Sequence, residues 1–334
     1  MGEALEPCRL APVASINRVR LGGTSARDLL SAAALAELAS AAGLRPDGPV
    51  RSFLDGCLGD PDPWVRRVAA EVADRFAERL GLLLATLRSG DRTARPEWDD
   101  SYWERWAATS TVWLGGGLAA GPFGALVAER AAGSAGCRVV VAPGAEDLPL
   151  VGAARAAGGA AGSAGGAAGT AGGAAGSALT LDFGHSWVKR AVADYDGGQL
   201  VSLRLLAPVP APEAAAAGVA LAEQVADTVA EAWAEAGGPG PLVIAAMAAY
   251  VRDGQPVRTQ LGTYTRLAEV SDDVPGWLST RAGVRVVLVH DGTAAAHALP
   301  ADPHSVVVLL GTTLGVGYPH PCPGLATVRT GGAA

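Results

Sequence analysis

A chain of 334 residues is long enough to favour two packed lobes over a single core. Hydrophobic residues make up 49% and charged residues 18%, a globular balance, and a formal charge of -7 with scattered basic residues excludes an electrostatic grip on nucleic acid or on an anionic membrane. There is no charged-then-apolar leader and no apolar run of membrane length, so the expectation is a soluble, cytoplasmic protein.

In chain order, Leu29, Leu30, Leu35 and Leu38 predict an amphipathic helix over 25–42, stopped by Gly43 and the turn-rich Pro46-Asp47-Gly48-Pro49. Asp60-Pro61-Asp62-Pro63 opens a long helix reaching about Arg88. Its Val65, Val68, Val72, Phe76, Leu80, Leu83 and Leu87 recur at three and four residues, giving one core-facing stripe. A polar segment carrying Trp98, Trp103 and Trp106 follows, with the rings expected in core or interface packing. Residues 111–114 read as a short strand entering Gly115-Gly116-Gly117. A helix over 123–130, a strand over 137–141 and a helix over 148–157 then complete the alternation of an α/β lobe.

Residues 158–178 are almost wholly Gly and Ala and lack the side chains to build a core, so the major boundary is placed there, as a flexible linker. Beyond it, strands are predicted over 179–183, 190–195 and 200–206, with Asp196-Gly197-Gly198 as the hairpin turn between the last two. A helix over 213–236, a strand over 242–246, a helix over 274–282, a strand over 284–289 and an Ala-rich helix from Thr293 follow. The strand 306–310 then turns through Gly311-Thr312-Thr313-Leu314-Gly315-Val316-Gly317.

Four segments carry chemistry. Asp182-Phe183-Gly184, with Lys189 beyond, lies at a strand junction where a glycine admits backbone amides to phosphate and a carboxylate can organise Mg²⁺; an ordinary hairpin also contains such a pattern. The turn with Gly311, Thr312, Thr313, Gly315 and Gly317 offers small residues and hydroxyls to terminal phosphates, or is a tight hairpin without ligand. Gly115, Gly116 and Gly117, between a strand and a helix, give bare backbone for an adenine and place a helix N-terminus near an α-phosphate. Asp291 ends a strand and starts a helix, where a carboxylate serves either as general base or as helix cap. Cys8, Cys57, Cys137 and Cys322 lie far apart, and His297, His304 and His320 share no ligand spacing, so neither disulfides nor a zinc site are expected.

The set of a D-x-G-x-x-x-x-K hairpin, a strand-end Asp, a G-T-x-x-G-x-G hairpin and a strand–GGG–helix unit resembles the ROK sugar kinases and repressors of the actin/hexokinase/Hsp70 superfamily. The stretches 242–250 and 277–291 resemble the strand before that family's substrate loop, at Asp253-Gly254, and its helix–strand–Asp unit. The order differs from the family's: Gly115–Gly117 and Val151-Gly152-Ala153-Ala154-Arg155 precede Asp182, as a circular permutation through the Gly/Ala tether would produce.

The resemblance implies an α/β fold of two RNase H-like, actin/hexokinase-type lobes with a nucleotide cleft between them. Residues 1–157 with 305–334 would form the adenosine-binding lobe, and 179–304 the phosphate and substrate lobe. It implies ATP and Mg²⁺ as cofactors. Asp182 (indirectly at the metal), Gly184 and Lys189 would lie by the phosphates, Gly311, Thr312, Thr313, Gly315 and Gly317 would hold the terminal phosphates, and Gly115–Gly117 the adenosine. Asp291 would take the proton of a small, sugar-like acceptor. A homodimer is a family-level expectation. His290 stands where the family often has Asn, His185 and Trp187 replace small or hydroxyl residues, and neither an E-x-G-H stretch nor a cysteine-rich zinc motif is found. A non-catalytic, ligand-binding regulatory member of the same fold is therefore the alternative, whereas a repressor is disfavoured because no basic helix-turn-helix precedes the fold.

Overall fold

Nine strands form the two larger sheets of the computed structural model, which describes residues 15–98, 100–164, 176–213, 218–252, 254–258 and 262–319. They are β1 (Thr111–Gly115), β2 (Arg138–Val141), β3 (Gly176–Phe183), β4 (Trp187–Asp196), β5 (Gln199–Pro210), β6 (Leu242–Met247), β7 (Arg285–His290), β8 (Ser305–Leu310) and β9 (Leu314–Gly317). With the helices around them they make a mixed α/β protein whose described residues divide into two compact units, 15–148 with 302–318, and 149–301. Cys8, Asp253, His320 and Cys322 lie outside the described residues, as do positions 165–175 of the expected linker.

In the unit 149–301 the strand order is β7-β6-β3-β4-β5. β3, β6 and β7 run parallel, and β3, β4 and β5 form an antiparallel meander whose second turn is the expected Asp196-Gly197-Gly198. Side-chain alternation gives the sheet two unlike faces. Leu179, Leu181 and Phe183 join Val243, Met247 and Leu288 under the helices Gly218–Glu235 and Val274–Ala282. On the other face Ala178, Ala193, Ala246 and Val289 meet Ala153, Ala154 and Ala157 of the helix Leu148–Ala164, and Ala294.

That helix departs from the expected boundary. It continues to Ala164 where a linker is predicted from 158, as the high helix propensity of alanine allows, and β3 begins at Gly176. Its Ala153, Ala154, Ala156 and Ala157 pack with the strands of 149–301. The Tyr195 hydroxyl donates to the Ala154 carbonyl at 2.7 Å, and an added Cβ on Gly152 would come within 1.6 Å of the Ala294 oxygen, so the two helices meet backbone to backbone.

In the other unit the order is β9-β8-β1-β2, with β8, β1 and β2 parallel and β9 antiparallel to β8. The long helix is Pro63–Ser89, started by the Asp62 carboxylate accepting from Trp64 N at 2.8 Å and ended by Gly90 at φ 70°. Its Val68, Val72, Phe76, Leu80, Leu83 and Leu87 are buried, so the predicted stripe is the core face. The helix expected over 25–42 is broken at Ser31, whose extended backbone and hydroxyl cap a second helix, Ala32–Ala41. Trp98, Trp103 and Trp106 are buried in the core. Among the described residues no helix is long and apolar enough to cross a membrane.

Candidate functional site

Parallel strands place their carboxyl ends along one edge of a sheet, and β3, β6 and β7 do so here. Phe183, Met247 and His290 lie in one register row, and Asp182, Ala246 and Val289 in the row beneath it. Asp182 and Asp291 therefore stand at the same edge, on strands two spacings or about 10 Å apart, with Asp291 two residues beyond the row of Asp182. Asp182 is 8% exposed and sits on the small-residue face, where its neighbour Ala246 leaves room. Lys189 is its direct partner on β4 and shares that face.

Gly184 closes the turn after β3, donating its N–H towards the Asp182 carbonyl at 3.1 Å and the Trp187 carbonyl at 3.2 Å. Tyr264, which the sequence reading does not single out, braces this turn. Its hydroxyl donates to the Gly184 carbonyl at 2.8 Å, and its ring meets Phe183 edge-on at 5.8 Å. Burial and the nearby Asp182 raise the Tyr264 pKa, so the phenol stays a proton donor.

At the end of β7 three residues act together. His290 caps the helix Asp291–His297, its Nδ1 accepting from Thr293 N at 3.3 Å, while its Nε2 lies 3.2 Å from Asp291 Oδ1. The Tyr250 ring stacks on the imidazole with centroids 5.1 Å apart and planes at 10°. Asp291 Oδ1 also accepts from Gly292 N at 2.6 Å. Burial holds the imidazole neutral by lowering its pKa to about 4. Burial also pushes the Asp291 carboxyl up to about 7, against the Gly292 amide, although 19% of the side chain remains open to solvent. Neither Tyr250 nor the double use of His290 has a sequence signal beyond position at a strand end.

In the other unit the two glycine motifs lie side by side. Gly115 pairs with Leu309, Leu118 N donates to the Leu310 carbonyl at 3.1 Å, and the three-residue turn Gly311-Thr312-Thr313 follows at once, with Thr312 exposed. Gly315 and Gly317 are on β9 and pair with Leu309 and Val307. The N–H of Ala32, first residue of the helix Ala32–Ala41, donates to the Gly311 carbonyl at 2.9 Å, bringing the positive end of a helix to this turn.

Packing alone accounts for two of the triplet glycines. A Cβ on Gly115 would lie 2.5 Å from Leu148 Cδ1, and Gly116, at φ +84°, would press one to 2.5 Å from the Leu310 oxygen. Gly117 has open space. Its carbonyl accepts from Arg51 Nε at 3.1 Å, and the same guanidinium bonds Asp55 at 2.8 Å and Glu146 at 3.4 Å. The helix after the triplet, Gly121–Ala135, carries a carboxylate at its N-terminus, since Asp55 Oδ1 accepts from Phe123 N at 2.8 Å. A negative group thus stands at the helix end expected to receive an α-phosphate.

Asp182, Gly184, Lys189 and Asp291 are brought to one sheet, and Gly115–Gly117 and Gly311–Gly317 to the other. Among the described residues no three acidic, His or Cys side chains converge on one point. A pocket of about 400 Å³ lined by Arg18, Arg20, Ser25, Asp28, Arg95 and Glu97 contains none of the predicted site residues.

No protein-family model matches the chain, and no curated protein matches it in sequence. Among solved structures, a ROK hexokinase from Thermus thermophilus matches at 25% identity and a TM-score of 0.28, over 42% of this chain and 45% of the other. The chain thus spans less than half the length of the structure it matches.

Proposed function

We propose that the chain is an ATP-dependent phosphotransferase that phosphorylates a hydroxyl of a small, sugar-like molecule with Asp291 as general base. One observation carries this reading: a carboxyl at the C-terminal edge of a parallel sheet, held by an imidazole and poised by burial near pH 7, where a base is both deprotonated enough and strong enough to act. The acceptor oxygen bonds to the γ-phosphorus as the bridge to ADP breaks, the electron pair leaves on ADP, and the hydroxyl proton passes to Asp291.

The residues suit Mg-ATP in part. The Gly311–Thr313 turn, at the positive end of the helix Ala32–Ala41, suits terminal phosphates. Mg²⁺, which would neutralise charge on those phosphates, usually keeps several waters and one or two carboxylates, a role open to Asp182. Lys189 beside Asp182 adds a positive charge to the same face.

The permuted two-lobe, actin-like fold belongs to this proposal. It is supported by Asn17 bonding Leu314, which brings together segments that an unpermuted chain would join, and by the helix Leu148–Ala164 lying against the sheet that β3 opens, as elements joined only by the tether would. In this reading 15–148 with 302–318 is the adenosine-binding unit, and 149–301 carries phosphate and substrate chemistry.

One observation favours the regulatory alternative. The Asp55 carboxylate at the Gly121–Ala135 helix, with Gly115 and Gly116 explained by packing, suits a fold that has given up part of a nucleotide site. Titration calorimetry with ATP, with and without Mg²⁺, on the wild type, Asp182→Ala and Asp291→Asn separates the two. The kinase predicts Mg-dependent binding that is lost in Asp182→Ala and kept in Asp291→Asn, with turnover lost in the latter. Absence of ATP binding leaves the regulatory reading.

A further inference from the structure

A backbone N–H can only donate, so the bond from Thr293 N to Nδ1 of His290 requires an unprotonated Nδ1. A neutral imidazole then carries its proton on Nε2, the atom 3.2 Å from Asp291 Oδ1. The Tyr250 ring, lying nearly parallel to the imidazole, holds the plane in which both bonds are made. Oδ1 of Asp291 thereby receives two donors, His290 Nε2–H and Gly292 N–H. Neither of these donors is on Oδ2, and 19% of the Asp291 side chain remains open to solvent.

We propose that His290 is a positioning residue for Asp291: its Nε2–H pins Oδ1, the Thr293 amide sets its tautomer, and Oδ2 is the atom that takes the acceptor proton. The consequence for turnover rests on the phosphotransferase reading, whereas the hydrogen bond itself does not. An imidazole is suited to both tasks at once. It reaches back to cap the helix with one nitrogen and forward to the carboxylate with the other, whereas Asn at this position is long enough only for the cap.

The test uses the whole chain labelled with ¹⁵N-histidine. Two-bond correlation spectra identify the tautomer of His290, assigned by its loss in His290→Asn, and solvent exchange of its Nε2 proton is compared with that in Asp291→Ala. The Nε2–H tautomer is expected at neutral pH, with exchange at least severalfold slower in the wild type. A proton on Nδ1, or equal exchange in the two proteins, overturns the assignment whatever the activity. ADP release from Mg-ATP, with glucose and glycerol as probe acceptors, reads the consequence. His290→Asn keeps a helix cap and should lower kcat by about tenfold with KM for ATP unchanged, while His290→Gln, which retains a donor of similar reach, should restore most of it. Full turnover in His290→Asn together with its loss in Asp291→Asn overturns the positioning role alone. Full turnover in Asp291→Asn overturns Asp291 as the base and with it the positioning role, and no turnover in the wild type overturns the phosphotransferase reading, with the tautomer still deciding the bond.

Discussion

Asn17 bonds both main-chain groups of Leu314 with its side-chain amide: Nδ2 donates to the Leu314 carbonyl at 2.7 Å, and Oδ1 accepts from the Leu314 N–H at 2.8 Å. The pair spans 297 residues of sequence and serves β9 as a one-residue substitute for a neighbouring strand. Asn17→Ala leaves both groups of a residue only 4% exposed without their partner, so a loss of about 2–3 kcal/mol is expected. Asn17→Asp should rescue little, because a carboxylate oxygen would then face the Leu314 carbonyl. Urea unfolding of the three proteins measures this, and a loss below about 0.5 kcal/mol in the alanine variant would contradict it.

His290 and Asp291 predict opposing pH dependences. The folded-state pKa of Asp291 is raised to about 7, so between roughly pH 4 and 7 the folded chain holds a proton that the unfolded chain has released, and stability falls as pH rises through that window. The pKa of His290 is lowered to about 4 from 6.5, so between those values the unfolded chain holds the extra proton, and stability rises with pH. Each slope approaches about 1.4 kcal/mol per pH unit, and between pH 4 and 6.5 they oppose one another. Relative to wild type, Asp291→Asn should therefore gain stability as pH rises across that range, and His290→Asn should lose it. Parallel curves for all three proteins would show that neither group carries the predicted shift.

The close approach at Gly152 leads to a third expectation. An alanine methyl there would lie 1.6 Å from the Ala294 carbonyl oxygen, and backbone cannot rotate aside as a side chain can. Gly152→Ala should cost about 1–3 kcal/mol despite the better helix propensity of alanine, and Gly133→Ala, a helical position with open space, should not. Because Ala294 is three residues beyond Asp291, the Gly152 variant should also disturb the His290 resonances.

Periodic and local features were legible in the sequence. The stripe from Val68 to Leu87 marked the long helix, Asp196-Gly197-Gly198 marked the turn between β4 and β5, and the apolar run before His290 placed Asp291 at a strand end. These depend on spacing along a few turns or one strand, which the side chains themselves encode. The helix Leu148–Ala164 was less legible, because an Ala/Gly run has propensity without a patterned face, and its packing partners are small residues distant in sequence. Arg51, Asp55 and Asn17 were not legible as site residues. Each acts through long-range bonds to main-chain groups, at separations of 66, 68 and 297 residues, and a lone polar residue on a helix or turn carries no period.

Gly115, Gly116 and Gly117 separate architecture from ligand binding. Gly116→Ala meets both a left-handed backbone and the Leu310 carbonyl, and Gly115→Ala meets the Leu148 and Leu309 methyls, so each should cost about 1–3 kcal/mol in stability whether or not a nucleotide binds. Gly117 has no positive φ and no neighbour within 4 Å of an added Cβ, so Gly117→Ala should fold with wild-type stability. Any effect of that substitution then reports on what approaches the bare backbone from outside. Under the nucleotide reading a methyl group at 117 should weaken Mg-ATP binding about tenfold or more by keeping adenosine off the main chain, and Arg51→Ala, which releases the Gly117 carbonyl and removes a partner of Asp55, should weaken it further. Unchanged ATP affinity in Gly117→Ala, measured by calorimetry beside the denaturation curves, would assign the whole triplet to packing and take adenosine away from this strand end.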